Sequence, residues 1–168
     1  TPNTYETINW TSTGITWTAT DSRTDQTINT KAILLWNGSL TSSNISGGIG
    51  NLTVTTKQIF TGSAGTFNLM INGNMIGTIP FSSTVTTTTI PNINIAGNVI
   101  ISITDNSTSG NSTVSRVAFD DLSWTCYTAP LATTEFETPK LSIYPNPVKN
   151  NTLYVTGKNI EKIKRVEI

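Results

Sequence analysis

The chain has 168 residues, ten basic and ten acidic, with one cysteine and no histidine. That length suits one ordinary domain plus an appendage, and the zero net charge argues against a general nucleic-acid or membrane-surface binder. Without histidine there is no Ser-His-Asp or Cys-His catalysis and no His-ligated zinc or copper, and the lone Cys126 permits no intrachain disulfide. Cys126 is expected to be a small buried hydrophobe.

Taken in chain order, the sequence reads as short strands separated by turn residues. "YETINW" (5–10) precedes "GITWTAT" (14–20), and "KAILLW" (31–36) stops at the turn "NGS". "GNLTVTTKQIF" (50–60) stops at "TGSAG", and "TFNLMI" (66–71) turns at "NGN" into "MIGTIPF" (75–81). "STVTTTTI" (83–90), "NVIISIT" (98–104) and "TVSRVAFDDLSWTCY" (113–127) complete the series. No helix is expected before residue 128. Phe67, Leu69 and Ile71 share one face of their strand, and Val99, Ile101 and Ile103 do the same. Period two with one apolar face means a sheet packed on one side, and two such sheets face to face make a sandwich. The expected fold class is all-β, an antiparallel β-sandwich of the jelly-roll kind.

"TAPLATTEFETPK" (128–140) breaks the alternation and reads as a linker, placed at 128–138. Net charge changes from −2 over residues 1–127 to +2 over 128–168. A binding module over 1–127 and a small β unit over 139–168 are expected. No run of 18 apolar residues exists, so no membrane-spanning helix is expected.

The first unit offers no catalytic constellation. "GGIG" (47–50) precedes a strand and reads as a turn, not a phosphate cradle. Asp120 and Asp121 are adjacent on a strand, so they point apart and cannot flank one glycosidic bond. Binding residues are easier to nominate. Arg23 and Lys31 flank a polar stretch, read as a loop, that also carries Asp25, and Lys57 sits in a Thr-rich strand. If the loop folds over the face of Lys57, these make a cationic patch suited to a sulfated or carboxylated polysaccharide, or to a few phosphates. The alternative is unrelated solvated charges. Flat indoles stack on pyranose rings, and Trp17 and Trp36 border polar segments, so they are the expected site edge. Trp124 is expected to be structural.

"VAFDDLSWTCY" resembles the last strand of galactose-binding-like jelly-roll modules. There an acidic residue of that strand and an early-strand glutamate hold a structural calcium ion. The resemblance implies Glu6, Asp120 and Asp121 as metal ligands, with first and last strands adjacent. The same acids could instead cap turns or pair with Arg116. Residues 5–127 also resemble an accessory region of large secreted bacterial proteins. "LSIYPNPVKNNTLYVTGKNIEKIKRVEI" (141–168) resembles the first half of the C-terminal sorting domain of type IX secretion. Tyr144–Pro147 match its opening, 153–155 its next strand and 166–168 a third. The family's second half is missing, so the chain is read as an excised fragment. The resemblance implies export to the surface or medium of a Gram-negative cell and a partner in the secretion machinery. Together these features imply a non-catalytic carbohydrate-binding module of an exported polysaccharide-degrading enzyme. The competing expectations are a nucleic-acid-binding accessory domain of a secreted nuclease and a structural or adhesin domain.

Overall fold

The structure is a computed structural model, and it describes residues 4–105, 115–129, 142–150 and 152–157. The chain divides into two compact units, Thr1–Ala129 and Pro130–Ile168. Every described element is a β-strand, and every pairing is antiparallel.

The first unit holds β1 (Glu6–Ser12), β2 (Ile15–Thr27), β3 (Lys31–Leu35), β4 (Ser39–Ser42) and β5 (Leu52–Gln58). It continues with β6 (Gly65–Ile71), β7 (Asn74–Phe81), β8 (Thr86–Ile90), β9 (Ile101–Asp105) and β10 (Val117–Trp124). Two of the hairpins have turns that need left-handed backbone. Thr13 and Gly14 (φ 51° and 80°) join β1 to β2, and Asn72 and Gly73 (φ 52° and 79°) join β6 to β7. Positive φ at both central residues is the type I′ geometry that matches strand twist.

The layers diverge from a shared corner. One edge of β2 carries β1; the other carries β3 and then β4, since Ser22 lies opposite both Glu6 and Leu35, and Ala19 opposite both Ile8 and Leu40. From β3 the sheet continues through β10 and β5 to β8, and from β4 through β9 and β6 to β7. The split is made where both strands bend. Asp21 sits at φ 43°, its carbonyl accepts from the Trp36 amide at 3.1 Å, and its carboxylate accepts from the Asn37 amide at 2.8 Å. Gly38 passes so near that a Cβ would lie 1.7 Å from the Thr20 carbonyl oxygen, so no other residue fits there without moving the backbone.

Between the layers lies one apolar core. Leu35, Leu52, Val54 and Phe119 from one sheet meet Leu40, Phe67, Leu69, Ile71, Ile101 and Ile103 from the other. The Phe67 ring meets Phe119 edge-on, centroids 4.9 Å apart. Each fully buried side chain of this kind contributes about 1.5–3 kcal/mol. The Thr-rich strands use their outward hydroxyls in pairs: Thr53 with Thr89 at 2.8 Å and Thr55 with Thr87 at 2.9 Å bridge β5 and β8.

Three expectations are corrected. Residues 21–27 form the second half of β2, not a loop, because β3 pairs along them; only residues 28–30 turn. The first and last strands of the unit are not neighbours: β1 is an edge strand held by β2, while β10 inserts between β3 and β5. Cys126 is exposed, past the end of β10.

In the second unit, β11 (Ser142–Lys149) pairs with β12 (Thr152–Thr156). The register slips between Tyr144 and Lys149, where two prolines supply no ladder N–H. Tyr144 and Tyr154 are opposite, exposed and stacked at 5.6 Å. The expected strand at 153–155 falls within β12. The third expected strand at 166–168, and the linker from residue 130 onward, lie outside the described residues.

Candidate functional site

The β1–β2 turn fixes a register that sets Trp10 directly opposite Trp17. Their rings stack at 6.4 Å with 18° between planes, and Trp124 of β10 leans on Trp17 at 6.2 Å and 57°. Trp17 is only 6% exposed, whereas Trp10 and Trp124 are half-buried. They border a cleft of about 610 Å³, within the size range of small-ligand sites. Trp17, Leu40 and Phe119 from the core line it as well, and Ser12, Thr13, Thr24, Lys31 and Asp121 supply polar groups. The arrangement is apolar ring surface with a few hydroxyls, one ammonium and two carboxylates.

Two acids at this cleft differ in kind. The buried Asp120 carboxylate accepts from the amides of Asn29 (3.0 Å) and Thr30 (2.7 Å) and from the Thr30 hydroxyl (2.8 Å). Burial alone would raise its pKa, but these bonds outweigh it and hold the carboxyl below the ordinary carboxylate range. Asp120 thus caps the β2–β3 turn. Asp121 stands on a β-bulge at φ 51°, is exposed, and accepts from the Asn29 side-chain amide at 2.6 Å. Bulges with left-handed residues re-aim side chains and concentrate at binding sites.

The donor set does not fit the calcium ion implied by the resemblance. Glu6 is exposed on β1 opposite Ser22 and does not line the cleft. The oxygens of Asp120 are already engaged by N–H and O–H donors. Among the described residues, no three of His, Cys, Asp or Glu converge to hold a metal.

The expected cationic patch separates into two places. Arg23, Leu34, Ala118 and Lys57 lie in one cross-strand row over β2, β3, β10 and β5. Directly opposed residues share a face, and here it is the outer one, since the alternate residues Ile33, Leu35 and Phe119 fill the core. Lys31 has the opposite parity and sits at the cleft. Asp25 forms a forked ion pair with Arg23. Burial would raise the Asp25 pKa, but hydrogen bonds from Arg23 and Gln26 outweigh it and lower it. Trp36 is also on the outer face, 5.2 Å from the Tyr5 ring and 5.0 Å from the Arg116 guanidinium. Of the expected site edge, then, Trp17 is a cleft floor and Trp36 belongs elsewhere.

Trp10 and Trp124 are the cleft residues that sequence reasoning passed over. A signal existed for the first: Trp10 and Trp17 are equidistant from Thr13-Gly14, so a two-residue hairpin must pair them. Trp124 had none, because its orientation follows from the bulge at Asp121.

No protein-family model matches the chain, and no curated protein matches it. Among solved structures it is similar to a family 36 carbohydrate-binding module in complex with calcium and xylotriose (20% identity, 60% of this chain and 85% of the other, TM-score 0.46). It is also similar to a family 29 carbohydrate-binding module from Piromyces equi (17% identity, 72% and 86%, TM-score 0.46). A third is a family 35 carbohydrate-binding module from Clostridium thermocellum (15% identity, 68% and 97%, TM-score 0.41).

Proposed function

We propose that the first unit is a non-catalytic carbohydrate-binding module whose sugar site is the Trp10–Trp17–Trp124 cleft. One observation carries the reading: two half-buried indoles border a cleft whose polar groups are hydroxyls, one ammonium and the carboxylates of Asp120 and Asp121. Indole faces receive the apolar side of a pyranose ring, and groups such as Asp121 and Lys31 orient its hydroxyls. Asp120 is committed to the β2–β3 turn, which leaves Asp121 without a second carboxylate to share acid and base roles.

In this reading the module is joined to an exported polysaccharide-degrading enzyme and raises the local concentration of substrate around it. The Tyr144–Pro147 segment and the residues that follow it are the address for type IX export. Affinity electrophoresis against neutral polysaccharides such as xylan, mannan and β-glucan tests the site. Retardation on at least one is expected, weakened about tenfold by Trp124→Ala, taking the about 1–3 kcal/mol of a base stacked on one aromatic as the scale. A folded protein that no polysaccharide retards would refute the proposal.

A further inference from the structure

We propose that the outer face of β2, β3, β10 and β5 carries a second site, centred on Arg116, that binds a sulfate or carboxylate group of an acidic polysaccharide. The anion site stands on its own geometry; that the anion is borne by a polysaccharide rests on the function proposed for the cleft.

Arg116 precedes β10 by one residue, and its carbonyl accepts from the Ile59 amide at 3.0 Å. This register puts its side chain on the face of Ala118 and Lys57. Three rings surround the guanidinium: its carbon is 4.9 Å from the centroid of Phe60, 5.0 Å from Trp36 and 5.9 Å from Tyr5. Among the described residues, the Arg116 side chain has no hydrogen bond and no ion pair. Its five N–H donors lie beside three rings, and among the described residues none is taken up by an acceptor. Arg23, one row away, is the contrast, because Asp25 occupies its fork.

A guanidinium fixed by aromatic contacts loses little freedom when it forks onto a planar carboxylate or a sulfate, so binding costs less than for a mobile side chain. Lys57 adds a second charge on the same face and, among the described residues, forms no ion pair. With Asp25 cancelling Arg23, this face has a surplus of two positive charges in a unit of net −2. Two uncommitted cations match one or two anionic groups of an acidic glycan. They do not suit a nucleic acid, whose affinity grows with the number of phosphates neutralised. Phe60, 41% exposed, leaves ring surface beside the anion for a sugar face.

Affinity electrophoresis on alginate, dextran sulfate, uncharged dextran and xylan, with a labelled single-stranded oligonucleotide as a further arm, tests this. Stronger retention on alginate or dextran sulfate than on dextran is expected. Arg116→Ala should weaken that retention about tenfold, the usual loss for a forked charge-assisted pair. Arg116→Lys, which keeps the charge and the fold but loses the fork, should recover little of it. Neutral-glycan retention should be untouched by either change and weakened in Trp124→Ala, so failure at the cleft and failure here are read separately. The proposal is overturned by equal retention on charged and uncharged dextran, by full recovery in Arg116→Lys, or by tighter binding of the oligonucleotide than of either acidic polysaccharide.

Discussion

Asp120 shows how one residue can be legible while its partners are not. The two adjacent acids of the last strand stand out in the sequence, and the calcium expectation joined them to Glu6. The structure gives its carboxylate to the turn at residues 28–30, ninety positions away along the chain, and proximity of that kind is invisible to spacing arguments. The energetic consequence is direct. Asp120→Ala leaves the donors of Asn29 and Thr30 without their acceptor and should cost about 2 kcal/mol in urea denaturation at pH 7. The pH dependence follows from the lowered pKa. Protons bind the unfolded carboxyl more readily than the folded one, so the stabilisation is present above the ordinary carboxylate pKa. It is lost as pH falls through the folded value. The stability gap between the native sequence and Asp120→Asn should therefore narrow below about pH 4. A gap that is flat from pH 7 to pH 3 would contradict this.

At the scale of elements, alternation exposed most strands and missed two segments that meet at one bend. Residues 21–27 carry polar side chains, and Ser39–Ser42 is short and follows an Asn-Gly turn signal, so neither reads as strand. Both are strands because β2 and the β3–β4 run bend together, each pairing along the other. The bend depends on Gly38, whose missing side chain is the space occupied by the Thr20 carbonyl. Gly38→Ala should cost at least about 3 kcal/mol or prevent folding, as overpacked backbone contacts do. Gly14 is the control: it has φ 80° but open space around it, so Gly14→Ala should cost only about 1 kcal/mol of left-handed strain. Comparable losses at the two positions would show that the bend tolerates a side chain.

For the whole molecule, the charge break near residue 128 was readable from composition, and so was the apolar core. What composition could not reveal is which charges meet which rings. Tyr5, Trp36, Phe60 and Arg116 come from four segments, and only the sandwich assembles them on one face. The cleft was half legible, through the hairpin symmetry of Trp10 and Trp17, and its third indole was not. The buried apolar core residues of the first unit run from Trp17 to Phe119. A chain ending at Ala129 should therefore keep the thermal transition of the first unit within a few degrees, and its glycan retention with it. Loss of cooperative melting on that truncation would show that the second unit is required.

The placement of the tryptophans has an optical consequence. Three of the four lie together at the cleft, and the fourth, Trp36, touches Arg116 on the outer face. Each surface thus carries its own fluorophore, and replacing Trp36 with phenylalanine leaves emission from the cleft alone. The near-parallel Trp10 and Trp17 rings also form a coupled chromophore pair, whose circular-dichroism couplet reports whether the hairpin is in register. Ligand arrival at either face can be followed without attaching a label.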